Sequence, residues 1–144
     1  AADAADADAA PEGGPGPNEL HQLALDQFRR GSWGAARTGF SDLLRRYPTA
    51  DVAPEAQFYV AETWAAEKSP ARADSAYAAV VTRYPQSSRA PTALYKRARL
   101  KVAAGQRAQA RPLFEEVVRR WPRSDEAVLS REALRTLDRS GADR

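Results

Sequence analysis

Few residues of this chain have the chemistry of a catalytic or metal-binding group. Histidine occurs once, at His21, and cysteine does not occur, so neither a His-rich metal site nor a Ser-His-Asp set is expected. The neighbouring carboxylates Glu115 and Glu116 lie at adjacent positions of a predicted helix and therefore point apart. The glycines of residues 13–16 lack the Lys-Ser or Lys-Thr of a phosphate-binding loop. We therefore expect no enzymatic activity, no metal and no cofactor.

Three aromatic–proline pairs recur at a constant interval of 37 residues: Tyr47-Pro48, Tyr84-Pro85 and Trp121-Pro122. The same offset relates several alanine, aromatic and aliphatic positions. These sets are Ala24, Ala61 and Ala98; Ala36, Ala73 and Ala110; Phe40, Tyr77 and Phe114; and Leu43, Val80 and Val117. An internal repeat of this length is typical of stacked helical hairpins.

Each recurring position has a physical role in a pair of antiparallel helices. Small side chains let two helices approach closely, the aromatic residue fills the wedge beside them, and proline ends the second helix. The pattern predicts an all-α fold, a right-handed solenoid of three helix pairs plus a C-terminal capping helix. The predicted helices are residues 18–30, 34–46, 52–67, 70–83, 89–104, 107–120 and 126–138.

The domain organisation follows from the same pattern. Residues 1–17 contain only Ala, Asp, Glu, Pro and Gly, a composition that cannot bury enough apolar surface to order the chain, so we predict a disordered linker. The predicted repeats are residues 18–50, 51–87 and 88–124, followed by the capping helix 125–138 and a disordered tail 139–144. We expect Val128, Leu129, Leu134 and Leu137 of the last helix to cover the third repeat.

Turn and cap residues support these helix boundaries. Gly31 and Gly105 stand in the turns of the first and third repeats, where a left-handed residue is often needed. Lys68 takes that position in the second repeat, so we expect a turn of different shape there. Asp51, Ser88 and Asp125 are the expected N-caps.

Several of the recurring residues resemble the tetratricopeptide consensus. They are Leu20, Ala24, Gly31, Ala36, Phe40 and Pro48. The standard repeat has 34 residues, and here three more follow the aromatic–proline pair. This longer form is similar to the C-terminal tetratricopeptide domain of the YbgF/CpoB family, the Tol–Pal-associated periplasmic cell division coordinators, over about residues 18–138.

The resemblance implies a periplasmic, non-enzymatic adaptor of the cell envelope that binds TolA and a penicillin-binding protein. It also implies trimerisation through an N-terminal coiled coil. Because no heptad segment occurs in these residues, we expect a trimer only if such a coiled coil exists. The alternative is an accessory subunit of another envelope assembly, similar to the outer-membrane assembly lipoproteins of BamD type.

On the tetratricopeptide pattern, the first helix of each pair lines a concave surface that holds a partner segment. The predicted partner-binding residues are His21, Leu25, Phe28, Arg29, Phe58, Glu62, Tyr95, Arg99 and Val102. Phe58 and Tyr95 are related by the repeat interval and are the candidate anchors. The alternative, that both belong to the core between repeats, remains open, and Trp33 and Trp64 are expected to serve packing.

Charge is unevenly distributed along the chain. Residues 1–18 carry a net charge of −4 and residues 19–144 a net charge of +7. A basic domain attracts acidic proteins, nucleic acid or anionic lipid. Because arginines recur in the last turns of the second helices, where the helix dipole favours cations, part of the pattern is structural. We expect a protein partner, no nucleic acid and no insertion into a membrane.

Overall fold

In the computed structural model of the protein, residues 14–142 are described, and they form seven α-helices. The helices are α1 (Pro17–Arg29), α2 (Trp33–Arg46), α3 (Ala53–Ala66), α4 (Pro70–Arg83), α5 (Arg89–Ala103), α6 (Arg107–Arg120) and α7 (Asp125–Ala142). Every boundary except the end of α7 lies within one residue of its prediction. Most of the predicted linker and the last two residues of the predicted tail lie outside the described residues. No helix in the described range is long and apolar enough to cross a membrane.

The chain divides into two compact units, and the division falls inside α4, between Ala76 and Tyr77. The first unit holds α1, α2, α3 and the start of α4. The second unit holds the rest of α4 and α5, α6 and α7.

The first unit is built on the close approach of α1 and α2. Ala24 and Ala36 are 2% and 0% exposed. A Cβ added at Gly39 would lie 3.0 Å from the Cβ of Ala24, which leaves no room for a larger side chain. Phe40 and Leu43, one turn later on α2, are fully buried. The small residues therefore set the helix spacing, and the larger ones fill the space beside them.

The second unit repeats this arrangement with α5 and α6. Ala98, Ala110 and Phe114 are fully buried, and Leu137 of α7 packs against them. Leu134 is partly buried against the same cluster. Val128 and Leu129, which we expected to cover the third repeat, are 60% and 49% exposed. That expectation is wrong for these two residues, because about half or more of each side chain remains accessible to solvent and neither is part of the buried cluster.

Helix α7 continues to Ala142, four residues beyond its predicted end. Polar contacts support the extension: the Ser140 hydroxyl donates to the carbonyl of Thr136 over 3.0 Å, and Arg139 lies 3.5 Å from Glu132. Hydrophobic periodicity does not report such contacts, so the prediction stopped at the last leucine.

Helix α7 also keeps the register of the repeat. Ala127 occupies the position of Ala53 and Ala90, and Ser130 occupies that of Ala56 and Ala93. All of these side chains are fully buried. The hydroxyl of Ser130 has no hydrogen-bond partner among the described residues. Helix α7 is therefore equivalent to the first helix of a repeat, with a serine where the repeat has alanine.

The turn inside the second repeat corrects one expectation. Lys68 has a φ of 57°, close to the values of 78° and 73° at Gly31 and Gly105. The turn therefore keeps the left-handed residue that the other two repeats have, although a lysine adopts it at a cost of about 1–2 kcal/mol.

Two of the three predicted helix caps differ in the structure, and Ser88 is the N-cap of α5 as predicted. Val52 rather than Asp51 is the N-cap of α3, and Ser88 caps α5 without a side-chain hydrogen bond. The Ser124 hydroxyl accepts a hydrogen bond from the amide of Ala127, so Ser124 rather than Asp125 caps α7.

We predict that Gly39→Leu lowers the free energy of unfolding by about 1–3 kcal/mol, because the new side chain collides with Ala24. A Cβ added at Gly34, on the same helix, would have no other group within 4 Å. Gly34→Ala should therefore be neutral or raise stability by up to about 1 kcal/mol. Urea unfolding of both variants checks this, and equal effects would contradict the close approach.

We predict that Ser130→Ala raises the free energy of unfolding by about 1 kcal/mol, because it removes a buried hydroxyl that lacks a partner. The control is Ser75→Ala on α4, where the exposed hydroxyl donates to the carbonyl of Ala71. Its gain should be smaller, since only helix propensity changes. Thermal unfolding measures both, and a loss of stability in Ser130→Ala would refute the prediction.

Candidate partner-binding site

The predicted binding residues divide into buried and accessible groups. His21, Leu25 and Phe58 are buried, with 5%, 7% and 4% of their surface exposed. Phe28, Glu62 and Tyr95 are half-buried, whereas Arg29, Arg99 and Val102 are exposed. The binding role of all nine stays a prediction. The structure brings Tyr95, Arg99 and Val102 together in the second unit and places the other six in the first.

In the first unit, the predicted residues surround one aromatic side chain, Tyr59. Its ring stacks on Phe40 at 5.4 Å between centroids and meets Phe28 edge-on at 5.0 Å. His21 and Phe58 lie 6.4 and 5.9 Å from the same ring. This cluster gives His21 and Phe58 the surroundings of core residues. Tyr59 itself was not predicted, because Lys96 and Ala133 replace it one and two intervals later.

The tryptophans of the first unit lie in packing positions. Trp33 meets Phe28 at 5.0 Å between ring centroids. The guanidinium carbons of Arg37 and Arg72 lie 3.4 and 4.8 Å from the centre of the Trp64 ring. Arg37 also forms an ion pair with Glu67, just after α3, at 3.1 Å. These contacts join α2 to α3 and account for Trp64 without a partner.

The second unit contains a cleft of about 370 Å³ between α5 and α7. Its floor is formed by the buried side chains of Phe114 and Leu137. Tyr95, Arg99 and Val102 line the α5 side. The α7 side is lined by Leu129, Glu132, Ala133 and Thr136. The cleft thus combines apolar surface with a few polar groups, as ligand sites usually do.

Arg99 and Tyr95 form a pair one helical turn apart on α5. The Nη1 of Arg99 donates to the Tyr95 hydroxyl over 3.0 Å, and its guanidinium carbon lies 5.9 Å from the ring centre. The Tyr95 ring also packs on Phe114, at 5.9 Å between centroids. Within residues 14–142, Arg99 forms no ion pair. Its charge is therefore available to a ligand in the cleft.

Side-chain contacts hold the walls of the cleft in place. The Thr92 hydroxyl of α5 donates to Glu126 of α7 over 2.7 Å, and Arg111 of α6 pairs with Asp138 of α7 at 2.7 Å. Both contacts join α7 to the hairpin that it packs against. The cleft is therefore formed before a ligand arrives, which reduces the entropy cost of binding.

Glu132 is the acidic group of the cleft, and two arginines accompany it. Its carboxylate lies 2.8 Å from Arg135 and 3.5 Å from Arg139. A hydrogen bond from Arg135, together with the charges of both arginines, lowers the pKa of Glu132 below its usual value. The carboxylate is therefore ionised at neutral pH and lies beside two arginines.

The α7 side of the cleft was not predicted, although a signal existed in the sequence. Glu132 and Thr136 stand one interval after Tyr95 and Arg99, and Leu129 stands one interval after Thr92. This correspondence becomes apparent only when α7 is aligned with the first helices of the repeats, whereas the sequence pattern predicts it as a capping helix.

The polar groups of the cleft are few and of different types. Across residues 14–142, no three His, Asp or Glu side chains gather as metal ligands. The cleft offers the guanidinium of Arg99, the carboxylate of Glu132, the separate hydroxyls of Tyr95 and Thr136, and apolar walls.

Several solved structures are similar to this chain. The Yersinia enterocolitica type III secretion chaperone SycD, in complex with a peptide of the translocator YopD, is 14% identical with a TM-score of 0.72, covering 86% of this chain and 93% of that one. The first tetratricopeptide domain of Spaghetti (RPAP3) bound to an HSP90 peptide is 18% identical with a TM-score of 0.67, covering 88% and 93%. The same domain of human RPAP3, solved by NMR, is 18% identical with a TM-score of 0.65, covering 88% and 93%. These likenesses confirm the all-α tetratricopeptide fold.

No curated protein sequence matches the chain. Two tetratricopeptide-repeat families match it, one over residues 21–88 and the other over residues 92–124. The matched segments make up well over half of the sequence and follow the repeats that the spacing predicts. The chain therefore belongs to the tetratricopeptide-repeat family, whose domains are non-catalytic modules of protein–protein interaction.

Proposed function

We propose that this protein is a non-enzymatic adaptor that holds a segment of a partner protein in the cleft between α5 and α7. The observation that carries the proposal is the convergence of Tyr95, Arg99 and Val102 on a preformed cleft in the second unit. These side chains offer an aromatic anchor, a charge and an apolar wall within one site.

The composition of the cleft favours a protein segment as the ligand. Aromatic residues and arginine are the side chains that most often dominate protein interfaces. The buried floor of Phe114 and Leu137 excludes water from an inserted side chain, which strengthens apolar contact. Two similar structures are complexes with peptides, one of HSP90 and one of the translocator YopD.

The adaptor acts, in this proposal, in the periplasm, as part of the bacterial envelope and of the Tol–Pal and cell-division type. The basis is the three-residue extension after each aromatic–proline pair, the feature in which the repeat resembles the YbgF/CpoB family. TolA and a penicillin-binding protein are the corresponding partners. The alternative is an accessory subunit of another envelope assembly, of the BamD type.

We predict that a photoreactive amino acid at Val102 cross-links a protein partner in envelope extract, because this side chain lies at the cleft and is 36% exposed. Mass spectrometry of the product identifies the partner. TolA or a penicillin-binding protein supports the Tol–Pal assignment, and a subunit of another envelope assembly supports the alternative.

The matched control carries the same group at Gln109, an exposed residue of α6 that does not line the cleft. Identical products from both positions, or no product at Val102, would contradict the proposed function.

We predict that two substitutions separate the cleft from the aromatic cluster of the first unit. Val102→Asp should weaken binding of the cross-linked partner by about tenfold or more, because it places a charge on an apolar wall of the cleft. Each factor of ten in the dissociation constant corresponds to roughly 1.4 kcal/mol of binding free energy. Phe58→Ala should instead lower the free energy of unfolding by about 3–5 kcal/mol, because Phe58 is buried.

Calorimetric titration and urea unfolding measure these two effects. If Phe58→Ala leaves stability unchanged but weakens binding, the first unit rather than the cleft holds the partner.

A further inference from the structure

The second unit is strongly basic, and the charge is not shared with the first. Residues 77–144 contain 15 basic and 7 acidic residues, a net charge of +8, whereas residues 1–76 sum to −5. Between Asp74 and Glu115 the sequence has eight basic residues and no acidic one. A domain of this charge raises the local concentration of anionic partners and speeds their association.

Helix α5, which lines the cleft, is the centre of this charge. It carries five basic residues and no acidic one. The equivalent first helices of the earlier repeats, α1 and α3, have net charges of −1 and −2. The repeat geometry does not require this difference, since all three helices bury the same recurring alanine. The basic character of α5 is therefore a property of its positions outside the core.

The helix dipole does not explain the charge of α5. Of its basic residues, Lys101 is in the last turn, where the dipole favours a cation. Lys96, Arg97 and Arg99 lie earlier, within the middle turns. Arg99 is the basic residue that lines the cleft, and the acidic residue opposite, Glu132, is paired with two arginines. The cleft lining itself carries one positive and one negative charge, and the two arginines beside Glu132 make the charge around the cleft net positive.

We propose that the partner segment in this cleft is acidic, with carboxylates that flank one large apolar side chain. This inference rests on the proposed function. The apolar side chain inserts between Tyr95, Val102 and Leu129. A carboxylate beside it pairs with Arg99, and the remaining carboxylates lie in the field of α5.

The geometry favours an acidic protein segment over other polyanions. Single-stranded nucleic acid requires aromatic faces open for stacking, but the ring of Tyr95 packs on Phe114 and lies beside Arg99. The basic residues of α5 also point in different directions around the helix and do not form one stripe. An anionic membrane surface would not reach the apolar floor, because Phe114 and Leu137 are buried.

Fluorescence anisotropy of the full chain with synthetic peptides tests the proposal. The probe is a labelled peptide of glutamates and serines around a central phenylalanine. One matched peptide has lysine in place of each glutamate, and another has serine in place of the phenylalanine. We expect the acidic peptide to bind about tenfold or more tightly than either, and added salt to weaken it.

The variants Arg99→Glu and Arg107→Glu locate the binding. Both change the net charge of the second unit equally and both residues are exposed, but Arg107 lies at the start of α6, outside the cleft. We expect Arg99→Glu to weaken binding by about tenfold and Arg107→Glu by about twofold or less. Equal losses would overturn the assignment to the cleft.

Three further outcomes would overturn the proposal that the partner segment is acidic. Equal binding of a neutral peptide with the same phenylalanine would do so and would leave the proposed function intact. If a partner cross-links at Val102 but the full chain binds all the synthetic peptides equally, the acidic partner is likewise excluded and the proposed function stands. Tighter binding of oligo-dT or of vesicles containing phosphatidylglycerol, with competition against the peptide, would show that a different class of anion binds the second unit.

Discussion

The rest of the structure depends on the close approach of paired helices at positions where the side chain ends at Cβ or is absent. At Gly39 a single added carbon would lie 3.0 Å from the Cβ of Ala24. Ala98 and Ala110 are fully buried in the second unit. Phe40 and Phe114 occupy the space beside these points of contact and are fully buried.

This constraint explains why so much of the fold could be predicted from the sequence. Small, aromatic and proline residues act through sterics within a hairpin, so their spacing fixes the helices to within a residue. The left-handed Lys68 and the end of α7 could not be predicted in the same way. The first is a residue type that disfavours positive φ and so gives no turn signal, and the second depends on polar contacts of Ser140 and Arg139.

The candidate site was only partly predictable for a related reason. Tyr95, Arg99 and Val102 line the cleft, as their position on the first helix of a repeat indicated. His21 and Phe58 occupy equivalent positions in the first unit but are buried. They lie beside Tyr59, a residue that the other repeats lack. A packing neighbour that does not recur leaves no periodic signal in the sequence. The burial of His21 and Phe58 could therefore be recognised only in the structure.

Recurring and non-recurring positions therefore have different physical roles in this protein. The recurring alanine, aromatic and aliphatic residues within the helices are buried, and they fix the hairpins. The positions at the cleft change type at each interval: Leu25, Glu62, Arg99 and Thr136 are related by 37 residues yet share no charge or size. Leu25 is buried, whereas Glu62, Arg99 and Thr136 lie outside the core, so the charge at these three positions can vary without loss of the fold. The basic α5 follows from that freedom, and it is this variation that gives one repeat architecture a particular partner.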